Sequence, residues 1–155
     1  MDERDKAILT RLYAAFSDLS EDDGIAARLV EKEESGLGRT VLTTLHGGFG
    51  AVSNVSCGEF YFDEDIFVSR IIVAAEIPEG SRPFLCALIG PVNDKTPAGS
   101  FGFDIRENAL VYNLRLPIAE GLSEDELVEL CDRTMAVAIT SAGENAGDLV
   151  RAVLP

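Results

Sequence analysis

Apolar and polar residues follow two different periods along this chain, and each period predicts a different kind of element. In residues 5–19 apolar side chains recur every three or four positions, which is typical of a helix with one buried face. This stripe consists of Ile8, Leu9, Leu12, Phe16 and Leu19. Residues 25–34 fit either a short helix or an alternating strand, and we favour the strand because the turn sequence SGLG follows.

The middle of the chain is rich in β-branched and aromatic residues, with glycine, proline and acidic turns between the runs. We expect strands over residues 39–46, 51–62, 66–77 and 84–92. Residues 100–105 and 109–116 predict a hairpin across the turn RENA. The segment GPVNDKTPAG, residues 90–99, carries two prolines and two glycines, so we expect no helix there.

The clearest helix start lies near the C-terminus. Ser123 fits the N-cap position and Glu126 stands three residues later, as in a capping box that satisfies free N–H groups of the first turn. Leu122 and Leu127 occupy the positions of a hydrophobic staple. The apolar stripe of this helix consists of Leu127, Leu130, Cys131, Thr134, Ala138 and Ile139. Two glycines, Gly143 and Gly147, then interrupt or end the helix. A last apolar turn follows, with Leu149, Val150 and Val153.

These elements predict an α+β fold in a single domain over residues 1–155. The order is a helix, a series of strands and a final helix, and the short links between strands favour antiparallel pairing over parallel βαβ units. We therefore expect a twisted, mostly antiparallel β-sheet of about five to six strands, with the N-terminal and C-terminal helices packed on it.

The charge of the chain limits the partners that it attracts. With 27 acidic and 13 basic residues the formal net charge is −14, which disfavours binding to nucleic acids and to anionic membranes. A basic segment of a protein partner would be attracted. No window approaches the roughly 18 to 20 apolar residues of a membrane span, and the charged first residues do not fit a secretory signal. We therefore expect a cytoplasmic protein.

Three cysteines, Cys57, Cys86 and Cys131, lie far apart in the sequence, and each has apolar neighbours. An odd number without a CxxC pair indicates neither a disulfide framework nor a zinc site. We expect reduced and mostly buried thiols, with no metal and no cofactor.

From Gly99 onward the sequence GSFGFDIRENALVYNLRLPIAEGLSEDELVELCDRTMAVA resembles the C-terminal half of the YbjN-like family, whose fold is similar to that of type III secretion chaperones. The matching residues are Gly99, Phe101, Asp104, Tyr112, Leu116, Pro117, Leu122, Ser123 and Leu127. The resemblance implies a non-catalytic domain, often dimeric, that binds or chaperones other proteins. It also implies a helix between the third and fourth main strands, which residues 90–99 are too short and too interrupted to provide.

Residues that could carry catalysis are isolated from the partners that they would need. His46 precedes two glycines, but no GxSxG nucleophile motif is present. The glycine-rich segments 36–40 and 46–50 lack the lysine and the helix of a phosphate-binding loop, so they predict turns. Cys131 lies on the apolar stripe of a helix, which predicts an inert thiol. Three acidic clusters fit solvated turns and a helix start: residues 21–23, 63–65 and 124–126.

Adjacent aromatic residues point to a binding surface. Phe60, Tyr61 and Phe62 follow one another in a predicted strand, and Phe67 lies near the start of the next one. Neighbouring side chains of a strand point to opposite faces of its sheet, so these rings cannot all be buried unless both faces are covered. We predict that Phe60, Phe62 and Phe67 form a partner-binding or dimer surface.

The sequence therefore predicts a non-catalytic, protein-binding or chaperone-like domain that forms a homodimer. It would bind a protein partner or client, and its acidic surface favours a basic one. Two other hypotheses stay open. One is a small-molecule-binding module that uses the concave face of the sheet. The other is a hydrolase or isomerase whose site the sequence does not reveal, and a buried carboxylate near His46 would favour it.

Overall fold

Within the residues that the structure describes, 3–23, 26–34, 37–46 and 56–153, six antiparallel strands form one twisted, open sheet, and four α-helices pack with it. The computed structural model gives the elements in this order: α1 (Glu3–Asp23), β1 (Ala26–Glu34), β2 (Leu37–His46), β3 (Ser56–Asp63), β4 (Ile66–Ala74), α2 (Arg82–Lys95), β5 (Ser100–Asp104), β6 (Ala109–Pro117), α3 (Glu124–Asn145) and α4 (Gly147–Val153).

The strands lie across the sheet in the order β1-β2-β3-β4-β6-β5, and every neighbouring pair is antiparallel. The first four strands form a meander. The chain then leaves the sheet for α2, and the β5–β6 hairpin returns so that β6 pairs with β4. Strands β1 and β5 are therefore the two edges.

The edge at β5 is partly closed by a side chain of α2. The carboxamide oxygen of Asn93 accepts the N–H of Phe101 at 2.7 Å, and its nitrogen donates to the carbonyl of Phe101 at 3.0 Å. The side chain thus takes the place of a neighbouring strand at this residue, which leaves β5 a poor template for further pairing there.

The helices lie on one face of the sheet, over a core with two parts. One cluster lies beneath α1 and the first half of α3 and includes Leu9, Phe60 and Met135. The other lies beneath α2, α4 and the second half of α3 and includes Ile71 and Leu149. The predicted α+β class is confirmed, as is the packing of the N-terminal and C-terminal helices on the sheet.

The start of α3 has the local structure that its sequence predicts. The hydroxyl of Ser123 accepts the N–H of Glu126 at 3.1 Å, which satisfies a donor that the first turn leaves free. Leu122 and Leu127 pack into the same core cluster, as a hydrophobic staple requires.

The prediction of a strand over residues 84–92 is wrong, because this segment lies in α2. Pro83 stands in the first turn, where its missing N–H costs no hydrogen bond. The helix continues through Pro91 to Lys95, so the expectation of no helix within residues 90–99 is wrong as well. An unbroken apolar run has no period that separates a strand from a helix, and here packing against α4 and β5 decides the element.

The remaining predicted elements are found, with small changes in their limits. The ambiguous segment 25–34 is a strand, as favoured. The fourth strand ends earlier than predicted, after a bulge between Ile72 and Ala74. Gly143 lies inside α3 and does not interrupt it. Of the strand predicted over residues 51–62, the first five residues lie outside the described part of the chain.

Candidate functional site

The three phenylalanines predicted to form a partner surface lie in the core. Phe60 and Phe67 are fully buried, and Phe62 is 4% exposed. Phe62 and Phe67 are cross-strand neighbours with ring centroids 5.1 Å apart. Their side of the sheet is the side that α1 and α3 cover, so the prediction that these rings are exposed is wrong. Alternation along β3 places Tyr61, and not Phe60 or Phe62, on the face that the helices leave uncovered.

Helix α2 is the element that leaves a wide apolar surface uncovered. Leu85 is its one buried residue. The run PFLCALIGPV, residues 83–92, contains no charge, although many of its residues are exposed. We call the exposed ones the α2 surface: Pro83, Phe84, Cys86, Ala87, Gly90 and Pro91. Phe84 is 60% exposed, and together with its uncharged neighbours it forms a continuous patch, which is the kind that marks an interaction site.

A groove of about 390 Å³ lies beside the α2 surface, between α2 and α4. Its lining combines apolar residues with three charged ones: Phe84, Leu88, Pro91, Val92, Ala152, Lys95, Asp148 and Arg151. Helix α2 has two bases against one acid, and α4 has one of each. The two helices together are therefore not acidic, although the chain as a whole has a net charge of −14.

The opposite face of the sheet carries none of the described helices, and an ion-pair network lies on it. Arg70 of β4 donates to Glu59 of β3 at 2.7 Å. The same guanidinium donates to Asp104 at 2.8 Å and to Glu107 at 2.9 Å. Lys32 of β1 binds the second carboxylate oxygen of Glu59. The network thus joins β1, β3 and β4 to the turn between β5 and β6.

A cleft of about 360 Å³ lies on this helix-free face, lined by the network and by the turn after β5. Lys32 of β1 and Glu59 of β3 pair across the strand between them, β2, whose Val41 is only 2% exposed. The guanidinium of Arg39 stacks over the ring of Tyr61, 4.7 Å from its centroid. The other residues that line the cleft are all charged: Glu33, Arg70, Asp104, Arg106 and Glu107.

Hydrogen bonds favour the charged forms of Lys32, Asp104 and Arg70 in this network. The bond to Glu59 raises the pKa of Lys32 above its ordinary value. The backbone N–H of Glu107, with Arg70 and the N–H of Arg106, lowers the pKa of Asp104. Burial opposes the charge of Arg70, but its bonds to Glu107 and Asp104 outweigh burial and raise its pKa. The arrangement therefore suits charge recognition better than proton transfer near neutral pH.

The three thiols are free but differ in exposure. Cys131 is fully buried, as its place on the apolar stripe predicts, and burial raises its pKa to about 12. Cys57 is half-buried, and burial raises the pKa of this thiol too. Cys86 is exposed on α2, so the expectation of mostly buried thiols is wrong at this position.

The other predicted candidates are not brought together. Residues 21–23 end α1, so the turn predicted there is wrong. Asp63 ends β3 beside the turn of residues 64–65, and residues 124–126 open α3. His46 ends β2, and its side chain lies outside the described residues, as does the glycine segment 47–50. Among the described residues no group of three or more His, Cys, Asp or Glu could hold a metal ion. None of the helices there has the length and apolar character needed to cross a membrane.

Sequence reasoning missed both the α2 surface and the ion-pair network. A signal for the first was present, since ten uncharged residues exceed what a 14-residue helix with one buried face requires. The network had no local signal, because its ion pairs join residues 11 to 37 positions apart. Only the register of the strands and the fold of the hairpin bring these residues together.

No protein-family model matches the chain, and no curated protein matches its sequence. The resemblance of the region from Gly99 onward to YbjN-like domains therefore stays a prediction.

Proposed function

We propose that the chain is a non-catalytic, chaperone-like protein-binding domain that pairs with a second copy of itself through the α2 surface. The observation that carries the proposal is the exposure of an uncharged helix face around Phe84. Full burial of a side chain of this size contributes roughly 1.5–3 kcal/mol, and a monomer with Phe84 60% exposed leaves more than half of this unused.

The charge distribution favours a second copy at this place. Two chains with a net charge of −14 repel each other over most of their surfaces. The α2 surface avoids this cost, because α2 and α4 together carry three bases and two acids.

The centre of the α2 surface suits close packing between helices. Ala87 and Gly90 lie in the middle of the helix and are both exposed. Small side chains let two helix axes approach to the short end of the usual range of about 8–10 Å. The larger Phe84 then lies beside this contact and next to the groove between α2 and α4. The resemblance to YbjN-like domains, which are often dimeric, supports the same proposal.

Sedimentation velocity on two matched variants tests this role of α2. Ala87→Glu places a charge at the centre of the α2 surface, and Ala136→Glu places the same charge on the exposed side of α3. We expect the wild type and Ala136→Glu to sediment as dimers and Ala87→Glu to sediment as a folded monomer, with unchanged circular dichroism. A dimeric Ala87→Glu variant would show that α2 is not the interface.

A second candidate function, binding of a small molecule, is favoured by the cleft on the helix-free face. Its volume of about 360 Å³ lies at the small end of the range of ligand pockets, and polar groups converge on it from several elements. The distribution of charge over the whole face favours a longer ligand.

A further inference from the structure

The bases of this acidic chain are concentrated on the helix-free face of the sheet. The alternation and register of the strands place one side chain in two of each strand on this face, and the β5–β6 turn adds Arg106 and Glu107. Six of the 13 bases belong to it: Arg28, Lys32, Arg39, Arg70, Arg106 and Arg115. Among the described side chains, only five of the 27 acids accompany them: Glu33, Glu59, Asp63, Asp104 and Glu107.

Most of these acids are already engaged by bases of the same face. Glu59 is 8% exposed and lies between Lys32 and Arg70. Asp104 and Glu107 bind Arg70, and Asp63 stands 3.7 Å from Arg39. The carboxylates thus hold the network together, and with six bases against five acids the face has a formal charge of +1 in a chain whose net charge is −14.

Three exposed arginines of this face have no carboxylate partner in the described part of the chain. Arg28, Arg106 and Arg115 have no carboxylate within 4.0 Å among the described residues. Arg28 lies on β1, Arg115 on β6 and Arg106 in the turn at the edge of the cleft. In a chain with twice as many acids as bases, this grouping makes the face suited to an anionic ligand.

The spacing of these groups sets the length of the ligand. From β1 to β6 there are four strand spacings, which amounts to about 19 Å. A small molecule that fills the cleft cannot reach both Arg28 and Arg115. An extended polypeptide advances about 3.3 Å per residue, so roughly six residues cross this distance. Tyr61, with Arg39 stacked on it, offers a flat surface along the way.

We propose that the helix-free face binds an acidic polypeptide segment in an extended conformation, whose carboxylates bind Arg28, Arg106 and Arg115. The inference rests on the proposed protein-binding function and adds the chemistry of the partner. It differs from the preference for a basic partner that the net charge predicts, because the surface that carries the recognition is not the acidic one.

Fluorescence anisotropy with a labelled peptide of about ten residues, alternating Glu and Val, tests the proposal at an ionic strength of about 50 mM. We expect saturable binding that weakens as salt is added. The variant Arg28→Gln/Arg106→Gln/Arg115→Gln should bind at least about tenfold more weakly. The control variant Lys6→Gln/Arg11→Gln/Arg133→Gln removes the same charge from α1 and α3 and should stay within about twofold of the wild type.

Several results would overturn the inference. Absence of saturable binding would do so, as would equal losses in both triple variants, which would indicate only the overall charge of the chain. Complete competition by citrate would point to a small anion in the cleft, and tighter binding of an oligothymidylate would point to nucleic acid.

These assays distinguish a failure of acidic-peptide binding from a failure of pairing through α2. The Ala87→Glu variant lies on the opposite side of the sheet from the arginines, so it should bind the acidic peptide whether or not α2 mediates pairing. A wild-type dimer that does not bind the peptide would remove this inference alone. A monomer that binds the peptide would instead remove the pairing through α2.

Discussion

The ring of Tyr112 in β6 lies directly against the backbone of Gly99, so that residue 99 has no room for a side chain. A Cβ atom there would overlap the phenol and lie 2.7 Å from the carbonyl oxygen of Asn113, and the φ angle of Gly99 is +70°. The hydroxyl of Tyr112 donates to the carbonyl of Ala98 at 2.6 Å, and Ser141 of α3 donates to the same oxygen at 3.1 Å. This contact fixes the segment between α2 and β5.

Replacing Gly99 by alanine should therefore lower the free energy of unfolding by at least about 2 kcal/mol, through overlap with Tyr112 and strain at positive φ. Chemical denaturation measures the change. Gly102→Ala in β5 is the matched control, because a Cβ atom there meets nothing within 4 Å. We expect the control to be neutral or slightly stabilising, and equal losses in the two variants would contradict this account.

Ser69 in β4 is fully buried, and its hydroxyl has no hydrogen-bond partner in the described part of the chain. Ser69→Ala removes an unsatisfied polar group from the core and should raise the free energy of unfolding by up to about 1 kcal/mol. Ser141→Ala removes a hydroxyl that does donate, to Ala98, and should lower it by about 1 kcal/mol. A destabilised Ser69→Ala variant would show that this hydroxyl has a partner in solution.

The lowered pKa of Asp104 predicts an acid-dependent part of the stability. Its carboxylate is stabilised in the folded state by the N–H of Glu107 and by Arg70. A folded-state pKa below the unfolded value contributes stability that is present above about pH 4 and is lost as the pH falls through the folded-state pKa. Urea unfolding between about pH 2 and pH 7 should therefore show a shallower acid loss for Asp104→Asn than for the wild type. Parallel curves would contradict the assignment.

The three thiols should react with a disulfide reagent in the order of their exposure. Cys86 should react first, Cys57 more slowly, and Cys131 only upon unfolding, because it is buried and its pKa is raised to about 12. If α2 pairs with its copy, the reaction of Cys86 should also slow as the protein concentration rises. The Ala87→Glu variant should react at a rate that does not depend on concentration, and the same dependence in both proteins would contradict the pairing.

The sequence predicts those elements whose signals are local. The helical stripe of Ile8, Leu9 and Leu12 marks α1, and Ser123 with Glu126 marks the start of α3. Each signal lies within a few residues and depends on no distant contact, because caps and periods act within one or two turns.

The candidate surfaces could not be predicted in the same way, because each depends on which face of an element another element covers. Strand alternation separates Phe60 and Phe62 from Tyr61, but it does not say which set the helices cover. The apolar run of α2 fits a buried strand as well as a helix exposed on one side. Arg70 meets Asp104 only because the hairpin after α2 returns to β4.

Light scattering behind a size-exclusion column, across a range of protein concentrations and at low and high salt, tests the proposed pairing most directly. We expect a particle of twice the 16.6 kDa chain mass. It should persist at high salt, because the contact is apolar and salt screens the repulsion between acidic chains. A mass of one chain at every concentration would contradict the account and would leave the α2 surface without its proposed partner.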